Sequence, residues 1–395
     1  MKPLILDVFS GAGGFSLGFK WAGCQIIGAI EIDKWASETF AYNHPDAIIV
    51  INQDITTITN KNIVNIWGNN KPQILIGGPP CQGYSICNKN SGDPKDPRNN
   101  LFRELIRIAV VFEPEILIME NVPNLIKFKT HSRVKVIDII EQEFKKIGYH
   151  VYINILEATA YGVPQIRKRL FIVASKRELK NPFPLPTHGV LTSQQMPLFG
   201  EKLKFCPTLW DAISDLPPLE AGEGKEESNY LKQPSNEYQK LLRNGSKILF
   251  NHKAMNHTQR MVERFATMTW GSSGKDVPKH LQPRQRNSKE IAQKIYGQNN
   301  RRLYPDKPCH TIPASFYANF VHPYQHRNFT AREGARIQSF PDSFKFMGKP
   351  TVISHKLLSR EGRLGEKHLC QYNQIGNAVP PLLGKAIADN ILKQL

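Results

Sequence analysis

The segment Gly77-Gly-Pro-Pro80-Cys81-Gln-Gly-Tyr-Ser85 sets a thiol directly behind a rigid Pro-Pro pair, after an apolar run that reads as a strand. Residues that follow strands in open α/β sheets face the ligand crevice, so Cys81 stands where a nucleophile belongs. A few per cent of a free thiol is thiolate near neutral pH, and thiolate adds to electron-poor ring carbons. A buried inert cysteine fits the position equally well. A second apolar run ends in Met119-Glu120-Asn121-Val122, which brings a carboxyl group to a neighbouring strand end, where it can serve as a general acid. The segment Asp7-Val-Phe-Ser-Gly11-Ala-Gly13-Gly14-Phe-Ser-Leu-Gly18 follows a strand and opens a helix. Glycine there lets the backbone approach a ligand closely, so a cofactor turn is expected. It is not the dinucleotide fingerprint, because the third glycine of G-x-G-x-x-G falls at Ser16. Glu31 ends the next run, where an acidic side chain can accept hydrogen bonds from both ribose hydroxyls of an adenosine cofactor. Taken alone, Glu31 also reads as an ordinary solvated strand end.

Positioning these groups requires a sheet. From the N-terminus to about residue 175, short runs rich in Val, Ile and Leu alternate with longer amphipathic stretches, the pattern of parallel strands joined by helices. Strands are predicted over residues 4–9, 25–32, 48–51, 74–76, 116–119, 151–156 and 170–174. The fold class is therefore α/β, a doubly wound, mostly parallel sheet, with a smaller basic domain. Asn181-Pro-Phe-Pro-Leu-Pro-Thr187 reads as a linker, after which the alternation is lost. The expected organisation is a catalytic and cofactor-binding domain over residues 1–180 and a recognition domain over 181–331. A hinge and connecting segment follows over 332–373, and a C-terminal helix over 374–395 completes the first domain. Leu382, Leu383, Ala386, Ile387 and Ile391 are spaced for one apolar helix face.

Composition narrows the partners. With 40% hydrophobic and 22% charged residues the chain is an ordinary globular one, neither disordered nor fibrous. Its 52 Lys and Arg against 34 Asp and Glu leave a net charge of +18, which points first to nucleic acid. Residues 240–331 hold 16 Lys and Arg against 4 Asp and Glu, so the nucleic-acid surface is expected there. The six cysteines form no CxxC pair, which argues against a zinc site or a disulfide framework, and no metal is expected. No apolar stretch is long enough for a signal peptide or membrane span, so a cytoplasmic, nucleoid-associated monomer is expected.

Residues 7–18, Glu31, Asp54-Ile55, Gly78-Pro-Pro-Cys81-Gln, Glu120-Asn121-Val122, Gln165-Ile-Arg167-Lys-Arg169, Arg332-Glu333 with Arg336 and Phe340-Pro341, and Gln374-Ile-Gly376-Asn377 form an ordered series. In order and spacing it closely resembles the motifs of bacterial-type cytosine-5 DNA methyltransferases. The resemblance spans nearly the whole chain, and the stretch outside it, about 180 to 330, is where that family carries its variable target-recognition region. It implies a fold of the S-adenosylmethionine-dependent methyltransferases and transfer of a methyl group from S-adenosylmethionine to carbon 5 of cytosine in double-stranded DNA. Cys81 would add to carbon 6 while Glu120 hydrogen-bonds or protonates ring nitrogen 3, and Arg167 and Arg169 would hold the flipped base and its phosphate. Phe9, Gly11, Gly14, Glu31, Ile32, Asp54, Ile55, Pro80, Leu101, Asn377 and Ala378 would surround the cofactor. The polar loop over residues 86–98 would close over the DNA, with the target base extruded from the duplex. A cognate restriction endonuclease acting on the same site is a further expectation.

Two departures stand out. Ile32 occupies a position where some members of that family place an aromatic ring over the adenine, so aliphatic packing or Trp35 is expected to substitute. Residues 347–372 are longer than compact members need, and no function attaches to them. The competing readings are an RNA-directed branch that methylates tRNA cytosine, and a DNA-binding relative that has lost catalysis. The long basic insertion argues against the first, and intact Cys81, Glu120 and Arg169 against the second. Neither the target sequence nor the base-reading side chains can be read from the chain.

Overall fold

A computed structural model describes residues 2–80, 100–130, 133–189, 203–285, 290–293, 297, 299–351 and 355–395. Cys81 and the loop over residues 86–98 lie outside the described residues. By backbone packing the chain forms two compact units, the first made of Met1–Tyr161, Arg167–Thr187 and Ala378–Leu395, the second of Gly162–Ile166 and His188–Asn377.

The first unit is built on a seven-stranded sheet. Its strands are β1 (Leu4–Val8), β2 (Gln25–Ile30), β3 (Ile49–Ile51), β4 (Ile74–Gly77), β5 (Ile116–Asn121), β6 (His150–Glu157) and, after the two-residue β7 (Gln165–Ile166) of the second unit, β8 (Lys168–Ser175). The spatial order is β3-β2-β1-β4-β5-β8-β6, with β1 to β5 mutually parallel and β8 antiparallel to both of its neighbours. The central strands are near-continuous apolar runs because helices cover both faces. On one face α3 (Asn60–Trp67), α4 (Phe102–Phe112) and α5 (Val136–Lys146) bury Trp67, Leu105 and Phe144 against Leu6, Leu75 and Leu117. On the other, α1 (Gly14–Trp21) sets Phe15 6.0 Å from Phe171, and α2 (Lys34–Asn43) packs Phe40 on Ile26 and Ala29. The C-terminal helix (Pro381–Leu392) crosses α1 at Gly18, where any Cβ would sit 2.5 Å from the backbone nitrogen of Lys385. Only glycine permits that approach.

The observed strands sharpen the sequence reading at the ends that matter. β2 stops at Ile30 and leaves Glu31 and Ile32 beyond the pairing, and β1 stops at Val8 and leaves Phe9 in the turn. β5 runs on through Asn121, so Glu120 is held within a strand.

The second unit contains α6 (Leu209–Ile213), α7 (Glu237–Arg243), α8 (Gln259–Ala266), α9 (Ala331–Ile337), α10 (His355–Arg360) and α11 (Gln371–Asn377), with an antiparallel strand pair of residues 224–229 and 248–253 that flanks α7 in the chain. Every residue of α9 is buried, three of them charged. Glu333 receives both terminal nitrogens of Arg327 at 2.8 and 2.7 Å, which holds its carboxyl down at about 2. Arg336 donates to Asp342 at 2.6 Å from both Nε and Nη2, and to Asp215 at 3.0 Å. Arg332 donates to the carbonyls of Phe250, Pro341 and Phe344. The charges of α9, at the start of the segment expected as a hinge and connecting segment, thus find their partners within the second unit, on residues 215, 250 and 327. Truncating one member of such a buried pair strands the other, which is strongly destabilising. Among the described residues no helix is long and apolar enough to cross a membrane.

Candidate active site

The strand order reverses between β1 and β4, since β2 and β3 lie on one side of β1 and β5 lies beyond β4. Open α/β sheets bind ligands in the crevice outside the carboxyl ends at such a point. Residues 9–14 leave β1 there, residues 78–80 leave β4, Glu31 follows β2 and Glu120 is the penultimate residue of β5.

The glycine turn is tied to the second strand by Glu31. The Gly11 amide donates to its Oε2 and the Asp33 amide to its Oε1, both at 2.8 Å, so the carboxylate is fixed while each oxygen keeps a second lone pair. Burial raises the Glu31 carboxyl, opposed by those two amides. Phe9 adopts φ 59°, a left-handed conformation costly for an aromatic residue, and its amide and that of Ser10 both reach the carbonyl of Ile30. Gly13 turns at φ 90°, and a Cβ there would meet His44 Nε2 and the Phe40 ring at 2.7 Å. His44 Nε2 lies 3.2 Å from the Gly13 carbonyl, and since that oxygen only accepts, the ring nitrogen donates. Burial, with Lys20 nearby, lowers His44 to about 4, so the ring is neutral at pH 7. Gly14 is the buried first residue of α1.

Around this turn, Asn52 Nδ2 holds the carbonyls of Glu31 and Ile32 at 3.0 Å, while the Ile32 side chain is 65% exposed. Trp35 is half-buried in the first turn of α2. Asp54 caps a short 3-10 turn by accepting from the Thr56 amide and hydroxyl at 2.9 and 2.8 Å. Ile55 buries its side chain in the core, and its carbonyl accepts from Arg107 Nη2 at 3.0 Å. Pro80 and Leu101 are half-buried. Asn377 is exposed at the end of α11 and belongs to the second unit, and Ala378 begins the return of the chain to the first.

The surroundings of Glu120 are built by strand direction. Because β8 is antiparallel to β5, its first residues reach the edge where β5 ends, and Glu120 pairs in register with Phe171. Side chains two residues apart share a face, so Arg169 falls diagonal to Glu120 and donates to Oε1 through Nε at 3.0 Å. Arg167, fully buried, continues on that face and donates through Nη2 to the Ala378 carbonyl at 3.0 Å. Burial raises the Glu120 carboxyl, while Arg169 and then Arg167 hold it down. The other carboxylate oxygen lies 3.5 Å from where a Gly78 Cβ would stand, and Asn121 Nδ2 donates to the Pro79 carbonyl at 3.2 Å. These contacts pin the chain that leads to Pro80 against the end of β5. Among the described residues no cluster of His, Cys, Asp and Glu is placed to hold a metal.

Sequence reasoning passed over Ser10, His44 and Arg107. Ser10 Oγ is buried without a hydrogen-bond partner among the described residues. Only its place between Phe9 and Gly11 could have marked it. His44 and Arg107 gave no signal, because the contacts that tie them to this region, with the Gly13 and Ile55 carbonyls, are to backbone distant in the chain.

A family profile described as C-5 cytosine-specific DNA methylase matches residues 4–393. The type II methyltransferase M.DdeI of Desulfomicrobium norvegicum is 46% identical over 98% of this chain and 88% of its own length. M1.HphI of Haemophilus parahaemolyticus, also named a type II methyltransferase, is 34% identical over 100% and 87%. A solved structure titled as a DNA modification methyltransferase encoded within an E. coli prophage superposes with a TM-score of 0.73 at 23% identity, covering 100% of this chain and 99% of that one. That last likeness concerns the fold, whereas the profile and the relatives reach the chemistry, and on them the chain belongs to the C-5 cytosine-specific DNA methylases.

Proposed function

We propose that the enzyme methylates carbon 5 of a cytosine extruded from a specific duplex DNA sequence, with Cys81 as transient nucleophile and S-adenosylmethionine as donor. The observation that carries this reading is the Glu120–Arg169 pair, fixed beside the segment that leads through Pro80 to Cys81. Cytosine carbon 5 is inert until a nucleophile adds to carbon 6. Cys81 thiolate forms that bond, and Glu120 donates to ring nitrogen 3 as electron density moves into the ring. The raised carboxyl of Glu120 supports a protonated donor, and Arg169 keeps it aimed. When bound, S-adenosylmethionine supplies the electrophilic methyl group that an electron-rich carbon 5 takes. Loss of the carbon 5 proton to a base or water then lets Cys81 leave. Extruding the base costs a few kcal/mol, to be offset by protein contacts.

The residues present suit that donor. Glu31 offers acceptor lone pairs for ribose hydroxyls, Ile32 offers exposed apolar surface for the adenine, and Ser10 Oγ in the turn awaits a partner. Phe9, Gly11, Gly14, Asp54, Ile55, Pro80, Leu101, Asn377 and Ala378 complete the proposed set. The basic stretch over residues 240–331 supports duplex binding by the second unit, acting as the target-recognition domain. The relatives' naming as type II methyltransferases supports a cognate restriction endonuclease. We place the protein in the cytoplasm as a nucleoid-associated monomer.

The reading is tested by incubating the purified protein with tritiated S-adenosylmethionine and either genomic DNA or tRNA, then mapping product by bisulfite sequencing. Label in DNA at one recurring sequence context is expected. Label confined to tRNA, or no transfer to either, overturns it.

A further inference from the structure

The second unit carries a concavity of about 360 Å³ lined by Met268, Thr269, Trp270, Arg302, Pro323, Tyr324 and His326. Two of its walls are aromatic rings left open to solvent, Trp270 at 47% and Tyr324 at 50% exposure. They stand perpendicular, with centroids 5.8 Å apart, and both are anchored. Trp270 Nε1 donates to the Pro323 carbonyl at 3.1 Å, and Trp210 packs edge-on against Tyr324 at 4.5 Å. A merely structural aromatic cluster would bury these faces.

The wall also holds a charge without a counter-ion. Arg302 is 97% buried, given its 3% exposure, and its terminal nitrogens donate only to neutral groups. These are the carbonyls of His322, Pro323, Gln325 and Phe265 and the Nδ1 of His326. Its Nε has no partner, and no carboxylate lies within ion-pair distance, among the described residues. Arg327 and Arg336 of the same unit each face a carboxylate at 3.0 Å or less. A buried cation is costly unless something compensates it. Beside the rim, Lys307 Nζ sits 4.4 Å over the Tyr304 ring, whose hydroxyl abuts Gly271.

An exposed ring face to stack on, a second ring to meet the edge, positive charge in the wall and room for one planar heterocycle suit an unstacked nucleotide. We infer that this concavity receives a base of the bound DNA, other than the methylated cytosine, that has left the stack, lying face-on against one of the two perpendicular rings and edge-on to the other, with the charge of Arg302 behind the wall. The inference rests on the DNA reading above and adds a second nucleotide site with its own residues.

The test compares a fluorescent thymidine oligomer with an abasic oligomer of equal length, measured by anisotropy at fixed salt on the full chain. Both share the phosphates, so their ratio isolates the base. The wild type should prefer the thymidine oligomer by roughly five- to a hundredfold. Trp270→Ala and Tyr324→Ala should each remove most of that preference while abasic binding stays unchanged, which also reports an intact fold, and Trp270→Phe should restore part of it. Equal affinities in the wild type, or a preference that survives both alanine variants, overturn the inference. If duplex methylation persists in that case, only this site falls, whereas absence of any DNA binding or methylation removes the DNA reading and this inference together.

Discussion

Arg169 Nε donates to Glu120 Oε1 at 3.0 Å because β8 runs against β5 and delivers its first residues to the edge where β5 ends. In the proposed mechanism this pair sets the pH range of Glu120. Burial raises the Glu120 carboxyl, and Arg169 is the largest opposing charge. The proposed chemistry needs the protonated acid, so methylation should fall as pH rises through its pKa. Arg169→Gln removes the opposing charge and should move that alkaline limb upward by about one unit or more. Loss of orientation should lower the plateau rate about tenfold or more. A single-turnover pH profile whose limb stays in place would remove Glu120 as the titrating group.

Glu31 offers a separable test of the cofactor turn. Its two oxygens already hold the Gly11 and Asp33 amides, so the proposed ribose contacts use lone pairs on a carboxylate that is fixed beforehand. Glu31→Ala should weaken S-adenosylmethionine binding roughly ten- to a hundredfold in calorimetry, with duplex affinity nearly unchanged. Glu31→Gln should fall between, because its NH₂ group must face one of the two amides. Equal cofactor affinity in all three proteins would exclude Glu31 from the site.

Much of this was legible because it depends on local pattern. The apolar runs marked all seven strands of the sheet, and the residue types after them marked Glu31 and Glu120. The reversal of β8 was not legible, since apolar periodicity carries no strand direction, and with it went the reason Arg169 meets Glu120. The packing of α9 was not read from the sequence. Thr330-Ala-Arg-Glu333 spells a capping box, which forms, but nothing local says that Glu333 also holds Arg327 or that Arg336 holds Asp215. The break between Ile166 and Arg167 was hidden too. Gln165 bonds Ile312 and Gln338 in the second unit, while Arg167 and Arg169 serve the first, within a five-residue motif that reads as one block.

Asp7 predicts how stability should vary with pH. It is buried at the end of β1, accepts from Ser16 Oγ at 2.6 Å, and is raised to about 8, chiefly by burial, with the Glu31 carboxylate adding to the rise. A carboxyl raised on folding contributes stability fully below its unfolded value of about 4. That contribution is lost as pH climbs through the folded value. Wild-type Tm should therefore decline between about pH 4 and 8, and Asp7→Asn should flatten much of the decline by removing one titrating group. The slope that remains belongs to Glu31 and Glu120, both also raised by burial. Parallel Tm curves for the two proteins would show that Asp7 does not titrate in this range.

The order of bond making is open to a direct trap. If Cys81 adds to carbon 6 before methyl transfer, a target cytosine carrying fluorine at carbon 5 should be methylated and then held, because the proton whose removal permits elimination is absent. The protein–DNA adduct should require S-adenosylmethionine, survive denaturant and map to Cys81 by peptide mass spectrometry. Cys81→Ala should form none. Glu120→Gln should form it much more slowly, since the amide cannot supply a proton to ring nitrogen 3 although it can still hydrogen-bond there. Survival through unfolding separates a covalent bond from tight binding, so gel mobility under denaturing conditions is the deciding readout. An adduct on Cys87, or full methylation by Cys81→Ala, would end the proposed mechanism while leaving the family assignment standing, because that assignment rests on the match across residues 4–393 and not on any one side chain.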